Sequence, residues 1–247
     1  MVKYLAFSLS ILVSACASTP PPCKCPESPE IVRAEPVTGK NPLDLAGVFD
    51  SIVQIKVKVS EKVHRGKVEE SFEYGTGFFI DERGTILTSA HVLAAVDDPR
   101  KVTVYVAGRP LQARLGPVYR QVDLATLRVD AGKTRPLTLN ARKPTLGETV
   151  YAVGFPYLDI FRDKLPAISV GHVAGTGRQI EYEGRPVKDL LLTDAFVADG
   201  CSGGPLIDGE GRVIGVLRFN LSKDGSWLGL SFAEPIGSYL DSKGKKP

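Results

Sequence analysis

From residue 46 onward, apolar residues recur in short runs with a period of two. In Ser51–Lys58, Val53, Ile55 and Val57 alternate with polar neighbours. Val102, Val104 and Val106 do the same, and Leu111, Ala113 and Leu115 repeat the pattern. Phe78-Phe79-Ile80 and Thr85-Ile86-Leu87 flank the turn Asp81-Glu82-Arg83-Gly84. Strand-like runs follow at Thr149–Val153, Ile168–Val173, Asp189–Thr193, Arg212–Leu217 and Trp227–Phe232. Successive side chains of a strand point to opposite faces, so such alternation builds sheets with one apolar side. Helical spacing occurs only in a short stretch after His91 and at Ile236–Lys243. Many short strands between Gly and Pro turns, with no solenoid or propeller repeat, predict an all-β barrel or sandwich.

Composition narrows this little further. With 43% hydrophobic and 24% charged residues among 247, the bulk of the chain is an ordinary globular sequence, not a disordered, collagen-like or coiled-coil one. A net charge of +3 gives no ground for a nucleic-acid partner.

The first 42 residues read differently. Lys3 precedes an apolar run, Leu5 to Val13, that ends in Ser14-Ala15-Cys16. Spanning a bilayer takes about 20 apolar residues, so the run fits a signal peptide instead. Val13-Ser14-Ala15-Cys16 resembles the lipobox of bacterial lipoproteins. That resemblance implies a signal peptide over 1–15 and diacylation of Cys16, and two acyl chains make a lasting membrane anchor. Residues 16–42 form a Pro-rich tether of the polyproline type. Cys23 and Cys25 lie in it, and without histidine or further ligands they make no expected metal site.

The chemistry sits elsewhere. Gly200-Cys201-Ser202-Gly203-Gly204-Pro205 puts a serine in a tight glycine-rich turn. Serine becomes a nucleophile when a base takes its proton and backbone N–H groups receive the oxyanion. Three histidines are available. His64 lies in a charged stretch and His172 in a strand pattern, whereas His91 follows the strand Thr85–Thr88 where a short helix begins. The third group expected is a carboxylate on the far nitrogen of the base. Asp123, read as sharing a strand face with Ala125, Leu127 and Val129, would be costly on that apolar face unless paired, and His91 is its natural partner.

Thr88-Ser89-Ala90-His91, Asp123-Leu124-Ala125 and the Gly200–Pro205 run together resemble a chymotrypsin-fold serine protease, in that family's His, Asp, Ser order. Gly75–Ile80, Gly147–Gly154, Val170–Ala174, Thr193-Asp194-Ala195 and Gly211–Val216 are similar to segments of the HtrA (Deg) proteases. The resemblance implies two antiparallel six-stranded Greek-key β-barrels with a short C-terminal helix, in a protease domain over 43–243. The first barrel is expected over about 46–135 and the second over about 136–235.

The resemblance also implies roles: Ser202 as nucleophile, His91 as base, Asp123 as its orienting group, and the N–H groups of Gly200 and Ser202 as the oxyanion hole. The primary pocket is expected from Phe196, Val197, Val216, Leu217 and Arg218, apolar enough for small aliphatic side chains unless Arg218 turns inward. No cofactor or metal is expected. Cys201 stands where digestive relatives carry the aspartate that receives a cut N-terminus, so no such activation is expected. The chain ends soon after this region, so no PDZ domain is expected. Function is read as a lipid-anchored endopeptidase cutting unfolded polypeptides in the bacterial cell envelope, on the outer membrane facing the periplasm. The alternative is a silent scaffold binding partner proteins at the membrane surface.

Overall fold

The computed structural model describes residues 43–243 apart from 65–66, 97, 158–159, 162–164, 183 and 224–225, and only the backbone of 62–64 and 67. The expected signal peptide, Cys16, the tether with Cys23 and Cys25, and Arg162-Asp163-Lys164 lie outside the described residues. The elements in order are α1 (Leu45–Phe49), β1 (Ile52–His64), β2 (Lys67–Phe79), β3 (Thr85–Ser89), β4 (Val102–Val106), β5 (Arg109–Gln112), β6 (Arg114–Tyr119) and β7 (Leu124–Arg128). There follow β8 (Thr149–Gly154), β9 (Ala167–Tyr182), β10 (Arg185–Thr193), β11 (Pro205–Asp208), β12 (Val213–Lys223), β13 (Ser226–Pro235) and α2 (Ile236–Lys243).

The first seven strands form one antiparallel sheet in the order β5-β4-β1-β2-β3-β7-β6. Its two outer strands, β5 and β6, are separated in the chain by Ala113 alone. Counted as one bent strand, they bring the total to six and join the sheet's two edges. The remaining six strands close into a barrel, β10-β13-β12-β11-β8-β9.

Three of the four apolar clusters among the described residues, the fourth being Leu190, Leu192 and Phe232, explain most of the sequence pattern. Val53, Ile55, Phe79, Ile86 and Leu127 fill the first sheet's interior. Leu191, Leu206, Ile214 and Leu217 fill the second barrel. Between them Phe78, Leu87 and Leu124 of the first sheet meet Val153, Ile207 and Val216 of the second, with Ile236 and Tyr239 of α2. Phe78-Phe79 and Ile86-Leu87 are therefore buried on both faces, which is why these strands read as continuous apolar runs. Each such side chain contributes roughly 1.5–3 kcal/mol by leaving water.

Strands with polar outer halves are longer than the pattern predicts. β2 begins at Lys67 and β9 runs on to Tyr182, where both faces meet solvent and alternation fades. The bend at Ala113 divides the single strand expected through Leu111–Leu115. α1 is set by Asp44, whose side chain accepts the Gly47 N–H at 2.9 Å.

Candidate active site

His91 lies in a 3₁₀ turn, Ala90–Leu93, directly after β3. Asp123 does not lie in the strand, as the alternation predicts, but caps the 3₁₀ turn Arg120–Val122 one residue before β7. Its φ of +52° is left-handed, a conformation aspartate tolerates better than most residues. This kink turns the carboxylate out of the sheet and toward His91. Asp123 Oδ1 accepts the His91 N–H at 2.9 Å, and Oδ2 lies 2.7 Å from His91 Nδ1. The Asp123 carbonyl accepts the Ala90 N–H at 2.8 Å, so backbone and side chain together hold the histidine turn.

A third donor reaches the same carboxylate, since Arg218 Nε donates to Asp123 Oδ2 at 3.0 Å. Burial opposes ionisation of Asp123. The His91 side-chain hydrogen bond, the charges of His91 and Arg218 and the His91 N–H outweigh it, holding the carboxyl below the usual aspartate range.

Ser202 lies in the turn leading into β11, and its hydroxyl donates to the Arg218 carbonyl at 2.7 Å. The turn is locked to its surroundings by backbone bonds. Gly203 N–H donates to Leu217 O at 2.8 Å, Leu217 N–H to Gly204 O at 2.8 Å, and Thr76 N–H to Ser202 O at 2.8 Å. Thr76, in β2, also donates from its hydroxyl to Gly200 O at 2.7 Å and accepts the Phe155 N–H at 3.0 Å. One buried threonine of the first sheet thereby fixes two segments of the second barrel. Ser89 adds a hydroxyl bond to Leu217 O at 3.0 Å.

Glycine is required at two of these positions. At Gly203, φ +86°, a Cβ would fall 2.1 Å from Thr88 Oγ1; at Gly200, φ +93°, it would fall 2.3 Å from Phe155 O. The carbonyl of the Asp199–Gly200 peptide accepts the Tyr157 N–H at 2.8 Å. Its N–H, opposite in a trans peptide, points the other way. Among the described residues neither the Gly200 nor the Ser202 N–H has an acceptor.

His91, Asp123, Ser202, Val197 and Arg218 line one cavity of about 1070 Å³. The other pocket candidates lie elsewhere. Val216 and Leu217 are fully buried in the cores, and Phe196 packs edge-on against Trp227 with ring centroids 5.0 Å apart. Arg218 is directed at Asp123 and Glu234, which it contacts at 3.0 and 3.2 Å. Cys201 is buried in the second barrel, and burial pushes its thiol up to about 11, so it stays protonated. His172 contacts Asp194 away from the cavity-lining residues, with Nδ1 3.5 Å from Oδ2. Among the described residues no set of three His, Cys, Asp or Glu side chains is grouped to hold a metal.

Sequence reasoning overlooked Thr76 and Glu234. The Gly75-Thr76-Gly77 spacing is the one signal that could have pointed to Thr76, because small flanking residues permit close approach of another segment.

Comparison with known proteins agrees with this arrangement. A family model described as a trypsin-like peptidase domain matches residues 75–216, more than half of the chain. Protease Do-like 1, chloroplastic, of Arabidopsis thaliana is 34% identical over 169 residues, covering 66% of this chain and 36% of that protein. A probable periplasmic serine endoprotease, DegP-like, of Halomonas elongata is 33% identical over 180 residues, covering 72% and 36%. The chain thus spans about a third of the length of these curated relatives.

Among solved structures, an M. tuberculosis protease in its active form superposes with a TM-score of 0.65 at 25% identity, over 82% of this chain and 85% of that one. The HtrA-type protease AlgW with decapeptide gives 0.67 at 25% identity, over 80% and 64%. The chain belongs to the trypsin-like peptidase family, with a chymotrypsin-fold protease domain of the HtrA type.

Proposed function

We propose that the chain is a serine endopeptidase of the cell envelope, working by acyl transfer. The observation that carries this reading is the His91–Asp123 contact on the same cavity as Ser202. Ser202 attacks the peptide carbonyl, and His91 takes its proton and returns it to the leaving amine. Asp123 holds the imidazole with its proton on Nδ1 and stabilises the cation that forms. The Gly200 and Ser202 N–H groups receive the oxyanion. Attack requires the Ser202 hydroxyl to exchange its bond to Arg218 O for one to His91 Nε2. That is a side-chain rotation, fast against any turnover.

Substrates on this reading are extended segments of unfolded polypeptides, which alone can lie in such a cleft. The primary pocket favours small aliphatic side chains. Arg218 lines the cavity but its charge is taken up by Asp123 and Glu234, and Val197 adds an apolar wall. Periplasmic names among the relatives support an envelope location, and a diacylated Cys16 would hold the domain at the membrane.

The deciding experiment is a fluorophosphonate probe on the folded chain, followed by mapping of cuts in denatured casein. Labelling at Ser202 and cleavage mainly after Val, Ala or Leu are expected. Folded chain that takes up no label would favour the silent scaffold, and cuts mainly after Lys, Arg, Asp or Glu would refute the aliphatic pocket.

A further inference from the structure

Behind the His91–Asp123 pair lies a carboxylate that the acyl-transfer scheme does not use. Glu234, near the end of β13, is buried at 3% exposure. Its Oε2 accepts from Arg218 Nη1 at 3.2 Å, and the Ser238 side chain of α2 also hydrogen-bonds to it. Arg218 Nε in turn donates to Asp123 Oδ2, the oxygen facing His91 Nδ1. One guanidinium therefore sits between two carboxylates, and the contacts run Glu234, Arg218, Asp123, His91. The groups facing Glu234 are Arg218 from β12, Asp123 from the turn before β7 and Ser238 from α2. His91 is reached through Asp123, and Arg120, Arg185, Lys188, Asp189 and Asp199 line the same cavity.

Arginine stays charged in any protein environment. With Glu234 ionised, the Glu234–Arg218–Asp123 trio carries one net negative charge; with Glu234 neutral it carries none. His91 must become a cation when it takes the serine proton. A negative trio stabilises that cation, and a neutral one does so less, by an amount that low dielectric magnifies.

We propose that Glu234 is a positioning residue for this site: acting through Arg218, it sets the negative charge seen by His91 and so how strongly the imidazole takes the Ser202 proton. The inference rests on the acyl-transfer reading above. Burial pushes the Glu234 carboxyl up, against the Ser238 and Arg218 contacts, to about 7, so the trio changes charge in the neutral range. The full negative charge is present above that value and is lost as pH falls through it.

The test follows the His91 ring resonance by NMR from pH 4 to 9 in the folded chain, alongside the pH profile of kcat/KM on denatured casein. Assignment uses His64→Gln and His172→Gln. In the parent, His91 should show a second inflection from Glu234. In Glu234→Gln that inflection should vanish and the His91 midpoint should fall by about 0.5 pH unit or more. The acid limb of kcat/KM should move the same way and become a single-proton step, with kcat/KM at pH 8 reduced about threefold or more.

Ser238→Ala, a gentler change should Glu234→Gln fail to fold, removes a donor from the carboxylate. It should move the Glu234 inflection to higher pH, where Glu234→Gln abolishes it. A merely structural role lowers rates without these distinct changes in the His91 curve. An unchanged His91 titration in the folded variants would overturn the proposal, whatever happens to the rate. Failure of the parent to label with fluorophosphonate or to cut casein would instead refute the acyl-transfer reading, and the resonance would still report on Glu234.

Discussion

Among the described residues two histidine–aspartate pairs occur, built from the same groups with the same contacts. In each, the aspartate accepts the backbone N–H of its histidine and also faces Nδ1. Their surroundings differ. His91 Nδ1 lies 2.7 Å from Asp123, whose side chain is 12% exposed, whereas His172 Nδ1 lies 3.5 Å from Asp194, whose side chain is 49% exposed. Asp123 also holds a buried arginine and shares a cavity with Ser202; Asp194 lines neither. Solvent around the second pair screens its charges and competes for its hydrogen bonds. On the acyl-transfer reading, what separates a base from a surface contact here is thus a dry carboxylate, a second donor to fix it, and a serine on the same cavity.

The sharpest way to break the comparison is to neutralise the buried member. Asp123→Asn keeps the shape but removes the charge and can stabilise the wrong tautomer of His91. We expect kcat on denatured casein to fall about 10³–10⁴-fold, with fluorophosphonate labelling slowed to match. A loss below tenfold would put Asp123 on a level with Asp194 and end the distinction.

A smaller effect should come from loosening the turn that brings Ser202 to the first pair. Thr76→Val keeps the volume but leaves Gly200 O and Phe155 N without the hydroxyl each now uses. Two buried groups losing their partner should cost about 1–3 kcal/mol of stability. The turn carrying Ser202 and the Gly200 N–H would lose one of its ties, so kcat should drop about tenfold while KM changes little. Urea denaturation and steady-state kinetics on the same preparation would separate the two effects. An unchanged kcat in a destabilised protein would show that the threonine holds the barrels together without aiming the serine.

Much of this was legible in the sequence, and the limits have physical reasons. The strands filling the barrel interiors stand out because one of their faces is dry. His91, Asp123 and Ser202 stand out because few residue types can do this chemistry and their order along the chain is distinctive; the structure sets the first two in contact and the third on the same cavity. The left-handed kink at Asp123 was invisible, because the alternating residues after it suggest that the strand begins earlier. Thr76, Arg218 and Glu234 could not be connected from sequence. Each meets its partners across strands or barrels that come together only on folding, more than 70 residues away for Thr76 and 95 for the Arg218–Asp123 contact. Polar strand extensions such as the far half of β9 carry no periodic signal, since neither face is dry.

The weakest expected effect is at the exposed pair, and it sharpens the comparison by how little it does. Asp194→Asn should leave kcat and KM on denatured casein within about twofold of the parent, because the groups it touches line no part of the cavity. Stability should change slightly and in a defined pH window. The His172 N–H bond, with the His172 side chain and against an opposing burial cost, lowers the Asp194 pKa below its ordinary value. A depressed carboxyl stabilises the fold above its unfolded pKa and loses that contribution as pH falls through the folded one. At neutral pH the variant should therefore be less stable by under about 0.5 kcal/mol, since so exposed a pair is heavily screened. As pH falls through the depressed folded pKa the two proteins should converge. Urea midpoints measured from pH 7 into the acid range would show the difference closing. A gap that stays constant would mean the asparagine disturbs the loop itself, and a tenfold loss of turnover would mean the second pair takes part in the chemistry after all.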